Sequence, residues 1–168
     1  LNSIKISKKQ NIVILDNEYG SNFIYFKKNV LNIRISQLKD DGSVCIKDLE
    51  SKIDSNTVAI CVCHIASQCG DIIEVEKIGG FIKKKYPETL FVLDACQSLG
   101  QVDIDVKRIK CDVLVGSGRK YLRGPRGTGF IYLNSKINIS VCPQVLDLKN
   151  CRIEDNKIKI MKSKIFEN

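Results

Sequence analysis

The chain has 168 residues, 43% of them hydrophobic, with 27 lysines and arginines against 19 acidic residues for a formal charge of +8. That length and composition suit one globular domain with its own core, and no apolar run approaches the roughly 20 residues of a membrane span. The basic residues are scattered among isoleucines and asparagines, as across 157–162, rather than clustered to neutralise phosphates. With no basic-plus-apolar leader in the sequence, the expectation is a cytoplasmic protein whose partners include neither nucleic acid nor membrane.

In chain order, residues 1–10 are polar and irregular, and the run 11–15 (NIVIL) reads as a short buried strand. Ser21 or Asn22 is placed to cap a helix carrying Phe23, Phe26 and Val30 at helical spacing. Residues 33–36 alternate like a strand, and Asp40, Asp41 and Gly42 form a turn. An amphipathic helix is expected over 44–53, with Ile46, Leu49 and Ile53 on one face. A strand over 57–63 precedes a helix from about Glu74 that puts Val75, Ile78, Gly79 and Ile82 together and ends before Pro87. A strand at 91–94, a helical turn after Asp105, a strand at 112–115 and a turn over 124–129 into 130–133 complete the pattern. Strands alternating with helices argue for a three-layer α/β/α fold with a mainly parallel sheet covered on both faces. From Ser135 the periodicity weakens, so 1–134 is read as the folded domain and 135–168 as a connecting segment.

Eight cysteines raise the question of disulfides or zinc. No CxxC pair occurs, and the lone His64 follows Cys61 and Cys63 within an apolar run, where thiols serve as small buried residues. No metal site is expected, and His64 is read as structural rather than catalytic.

Two runs carry more than packing. Asp94 ends the fully apolar Leu90-Phe91-Val92-Leu93, and Lys120 follows Val113-Leu114-Val115 through a Gly-Ser-Gly-Arg turn. In open α/β sheets ligands collect at the carboxyl ends of the strands. A lysine desolvated there can attack an aldehyde, although a surface lysine is the usual reading. Asp94 could cap the next helix, or hold a pyridine nitrogen protonated so that the ring becomes an electron sink. Ser117, Arg119 and the flanking glycines could bind a phosphate. Neither GxxxxGK[ST] nor GxGxxG is present, so nucleotide-binding folds fit poorly.

The segments Leu93-Asp94-Ala95-Cys96-Gln97-Ser98, Gly116-Ser117-Gly118-Arg119-Lys120 and Gly124-Pro125-Arg126-Gly127-Thr128-Gly129, in that order, resemble the class V aminotransferases. These are fold-type-I enzymes of pyridoxal 5'-phosphate, and they include cysteine desulfurases and isopenicillin N epimerase. Upstream, Glu18-Tyr19-Gly20-Ser21-Asn22 matches the family's E-[HY]-x-x-N, and His64-Ile65-Ala66-Ser67-Gln68-Cys69-Gly70 its H-[VI]-x-[NS/T]-x-x-G. The resemblance covers about residues 11–134. It implies a Lys120 Schiff base, with Lys120 also shuttling the α-proton, and Asp94 on the pyridinium nitrogen. Gln97 would lie near the phenolic oxygen and Ser117 with Arg119 on the phosphate. Tyr19 would stack on the ring where desulfurases place histidine, and Ser67 would stand where they usually have asparagine.

The substrate implied is an amino acid or thio-amino acid, handled by transamination, epimerisation or C–S cleavage, in a homodimeric parent. Arg119 and the Lys-Tyr-Leu-Arg-Gly-Pro-Arg-Gly segment lean toward the epimerase-like and C–S-lyase-like branch. Cys96 is a poor substitute for a desulfurase nucleophile. Family members are more than twice this length, and Ile165-Phe166-Glu167-Asn168 resembles the segment before their small domain. The chain is therefore expected to be the central part of a large domain. The alternative is an inactive remnant or a non-enzymatic binding protein.

Overall fold

The computed structural model describes residues 3–4, 6–30 and 32–137, with the backbone of two further strands inside 151–160. One compact unit spans residues 6–137. It runs β1 (Asn11–Leu15), α1 (Gly20–Asn29), β2 (Ile33–Ser36), α2 (Ile46–Ser51), β3 (Thr57–Cys63), α3 (Val75–Lys85), β4 (Leu90–Asp94), α4 (Val106–Ile109), β5 (Val113–Ser117) and β6 (Gly129–Leu133). The sheet order is β2-β1-β3-β4-β5-β6. Five strands are parallel, and β6 returns antiparallel to β5.

This order has a reversal. The chain steps outward from β1 to β2, then crosses back to β3 and proceeds the other way. Right-handed crossovers place α1 on one face and α2, α3 and α4 on the opposite face. The burial pattern agrees. One cluster unites Leu49 of α2, Ile78 and Ile82 of α3 and Ile109 of α4 with Ile60, Val62, Phe91 and Leu93 of the sheet, while Phe26 of α1 is buried outside it. The fold is the expected three-layer α/β/α.

Coverage is uneven. β1 is buried at every position and β3 at all but one, whereas β4 and β5 alternate and β6 is half-buried or exposed throughout. Among the described residues the α1 side carries a single helix, so only β1 and β3 are sandwiched along their length. Against the other face α3 packs closely on the segment at α4. A Cβ on Gly79 would stand 1.8 Å from the Ile109 carbonyl oxygen, so a side chain is excluded there.

Four sequence expectations shift. The first turn of α1 is led by Tyr19 without a side-chain cap, because Asn22 is engaged elsewhere. The helix expected over 44–53 shortens to α2, since Val44 pairs with Leu38 in an isolated antiparallel bridge. The strand expected at 112–115 becomes Val113–Ser117, with the Asp112 carboxylate held by Lys83 and by the Phe91 N–H. Beyond Leu133, where no element was expected, β7 (Cys151–Glu154) and β8 (Lys157–Ile160) pair as an antiparallel hairpin. Within the connecting segment, 138–150, 155–156 and 161–168, with Cys142 and the Ile165-to-Asn168 match, lie outside the described residues. No helix among the described residues is long and apolar enough to cross a membrane.

Candidate functional site

Parallel strands bring their carboxyl ends to one edge, here Leu15, Ser36, Cys63, Asp94 and Ser117. In such sheets ligands gather at this edge, near the point where the strand order reverses. The loop after β1 supplies Glu18 and Tyr19, and the turn after β5 supplies Arg119 and Lys120. Because β6 is antiparallel it starts at this same edge. The Gly118 N–H donates to the Thr128 carbonyl at 2.9 Å, and the Gly124 N–H to the Gly118 carbonyl at 2.7 Å, closing the turn that presents Lys120. A Cβ at Gly118 would meet Thr128 Oγ1 at 2.3 Å.

The Asp94 carboxylate has a donor on each oxygen: the Cys96 N–H at 2.9 Å on Oδ1 and Asn22 Nδ2 at 3.2 Å on Oδ2. Asn22 Nδ2 also donates to Glu18 Oε1 at 2.9 Å, and that oxygen accepts the Tyr19 N–H at 2.9 Å. Loss of hydration pushes the half-buried Glu18 carboxyl up from its ordinary value. The hydrogen bonds from Asn22 and Tyr19 oppose that shift, and the Asp94 charge adds to it. Lys120 Nζ stands 5.7 Å from the centre of the Tyr19 ring, within cation–π range.

Two thiols lie within the field of Asp94 and Lys120. Burial, then the Asp94 charge, pushes Cys63 up to about 12, with Lys120 opposing. Cys96 is likewise pushed up to about 12 by burial and by its bond to Asp94, with Lys120 and Arg119 opposing. At neutral pH both are protonated and poor nucleophiles. Among the described residues neither Asp94 nor Glu18 forms an ion pair with Lys120.

Asp94, Tyr19 and Lys120 are thus brought into one neighbourhood, and Arg119 reaches it through its field at Cys96. Ser117 is half-buried at the end of β5, and Gln97 half-buried in the turn after β4, its carbonyl accepting from Gln101 Nε2 at 2.6 Å. Ser67 is exposed in the turn after His64. These three occupy loops or strand ends of the same edge. Sequence reasoning did not single out Asn22 and Glu18 as site residues. The available signal was the E-[HY]-x-x-N match, whose first and last positions they occupy.

His64 faces elsewhere. It lines a cleft of about 310 Å³ with Ile73, Glu74, Asp103 and Ile109, and burial lowers the basicity of its imidazole. Its backbone nonetheless braces the site, because its N–H donates to the Asp94 carbonyl at 2.9 Å.

A doubly flanked, mainly parallel sheet with an acid on one strand end and a lysine just past the next places the chain among three-layer α/β proteins, with the carboxyl edge as its candidate site. Among them, the family described as "Aminotransferase class-V" matches residues 1–146, and the chain belongs to that family. It is 35% identical to the "Probable cysteine desulfurase" of Pyrococcus abyssi over 133 residues, covering 77% of this chain and 32% of that protein. With the "Cysteine desulfurase SufS" of Plasmodium falciparum it shares 34% over 131 residues, 72% of this chain and 24% of that one. The apo cysteine desulfurase structure from Thermococcus onnurineus superposes with a TM-score of 0.76 at 25% identity, over 96% of this chain and 40% of that one. The chain spans about a quarter to a third of the length of these curated relatives.

Proposed function

We propose that this chain carries the cofactor-holding centre of a pyridoxal-phosphate-dependent enzyme acting at the α-carbon of an amino acid, with C–S cleavage of cysteine as its reaction. The observation that carries the reading is the delivery of Asp94 and Lys120 by adjacent parallel strands to one edge, with the Tyr19 ring beside the amine. The donor set fits the group: an amine for an aldehyde, an acid for a ring nitrogen, a flat ring, and a hydroxyl with a guanidinium for a phosphate. When bound, the cofactor supplies an electron sink for the α-carbon. Lys120 holds it by its amine and moves the α-proton, and Asp94 holds the proton on the ring nitrogen. Ser117 and Arg119 take the phosphate, Gln97 the phenolic oxygen, Tyr19 the ring face, and Ser67 a further polar contact. The relatives' names favour C–S cleavage over the epimerase-like branch of the sequence-based lean.

Cys63 and Cys96, both protonated at neutral pH, are not the sulfur-accepting nucleophile that desulfuration requires. The domain reading, with 1–134 as the central part of a large domain and 135–168 leading onward, belongs to the same proposal, as does a homodimeric parent. The test is covalent capture. Purified chain is mixed with pyridoxal phosphate, reduced with borohydride and digested. The label is expected on the Lys120 peptide and absent from Lys120→Ala. A label spread evenly over many lysines, or undiminished in Lys120→Ala, refutes the assignment.

A further inference from the structure

We propose that Asn22 and Glu18 are positioning residues for Asp94: Glu18 fixes the Asn22 side-chain amide, and that amide fixes one oxygen of the Asp94 carboxylate. The value of this to the cofactor rests on the reading given above. A carboxylate that must face a ring nitrogen needs its plane set, and a lone aspartate at a strand end rotates. Here each oxygen has one donor. The donor to Oδ1 is the backbone N–H of Cys96, which almost any residue at that position would supply. The donor to Oδ2 comes from α1, 72 residues away in sequence, and depends on the side chain chosen there. No cation is used for the task, which leaves Lys120 free of Asp94.

The bland alternative is that Glu18 merely serves the first turn of α1, since its Oε1 accepts the Tyr19 N–H. That role does not require Asn22. One amide nitrogen has two hydrogens, and Asn22 Nδ2 makes both of its bonds to carboxylates, Glu18 and Asp94. Two acids around one amide repel each other, and the Asp94 charge contributes to the upward shift of Glu18. The other titratable groups coupled to this trio are Cys61 and Cys63 of β3 and Cys96 after β4, all pushed well above neutral pH, together with Lys120 beside the Tyr19 ring. All three thiols are held far above the carboxylates, and Asp94 bonds the same amide, so a step at the Asn22 amide is assigned to Glu18 only where Glu18→Gln removes it.

Two measurements decide it. In the cofactor-free chain, the Asn22 side-chain amide resonance, assigned by its loss in Asn22→Ala, is followed by NMR from acid to neutral pH. It is expected to move in a step displaced upward from the ordinary glutamate value, and Glu18→Gln, which keeps the shape and an acceptor oxygen, is expected to remove that step. A step unchanged in Glu18→Gln, or no step at all, overturns the relay. In the second measurement Asn22→Ala is expected to weaken pyridoxal-phosphate retention about tenfold or more, with Glu18→Gln nearer wild type. Wild-type affinity in Asn22→Ala overturns the positioning role. Wild-type chain that takes up no pyridoxal phosphate counts against the cofactor reading instead, and the amide measurement still decides the relay.

Discussion

The two edges of the sheet treat their charges in opposite ways. At the amino edge, acids are closed into pairs: Asp54 with Arg34 at 2.6 Å and with the Asn11 amide at 3.0 Å, and Asp112 with Lys83 at 2.5 Å and the Phe91 N–H at 2.8 Å. At the carboxyl edge Glu18 and Asp94 share one neutral amide while Lys120 stands over an aromatic ring. The same backbone pattern serves both edges, so the difference lies in the side chains. The amino edge uses charge to hold strands together. The carboxyl edge leaves an acid and a lysine unspent on each other, as a site with chemistry to perform requires.

The largest effect that separates the edges should come from cutting one charge at each. Asp112 has a side chain only 5% exposed, so Lys83→Met strands a buried carboxylate and should cost about 3 kcal/mol in denaturant unfolding. Lys120→Met should leave stability within about 0.5 kcal/mol of wild type while abolishing cofactor capture. Equal losses from the two substitutions would erase the distinction. A smaller effect is expected at the turn that carries Lys120. Gly118→Ala pushes a methyl into Thr128 Oγ1 and should cost about 1–2 kcal/mol and slow capture. Thr128→Ala in the same chain should recover part of that loss, and a strictly additive double mutant would show that the contact is not the cause.

The sandwiched part of the sheet was legible because central parallel strands are apolar on both faces. The runs that became β1 and β3 therefore stand out as mostly hydrophobic stretches. The α3 stripe of Val75, Ile78, Gly79 and Ile82 was legible for the corresponding helical reason, and all four are buried. The β7–β8 hairpin was not, because its isoleucines alternate with lysine, arginine and glutamate and read as a charged linker. Periodicity also could not bring Asn22 to Asp94. That contact depends on β1 and β4 flanking β3 and on α1 crossing above them, both consequences of strand order. The roles given to Gln97 and Ser67 came from the order of family motifs and that of Ser117 also from its hydroxyl beside glycines and Arg119, and the structure adds only their place at the edge.

The smallest effect, and the most direct comparison of the two edges, is the pH dependence of stability. Arg34, with the Asn11 amide and the Asn56 N–H, holds Asp54 down from its ordinary 3.8 to about 2. The unfolded chain therefore binds a proton at Asp54 more readily than the folded one. The stability this confers is complete above the ordinary value and drains away as pH falls toward about 2. Glu18 is shifted the other way. Its folded form binds the proton more tightly than the unfolded chain, so its contribution is complete below the ordinary 4.5 and is lost as pH rises through the raised value. Unfolding midpoints taken across pH should show both slopes. Asp54→Asn should flatten the acid limb alone, and Glu18→Gln should flatten only the decline above 4.5. A Glu18→Gln profile parallel to wild type above that pH would mean that Glu18 is hydrated like any surface acid. The carboxyl edge would then be no more strained than the amino edge.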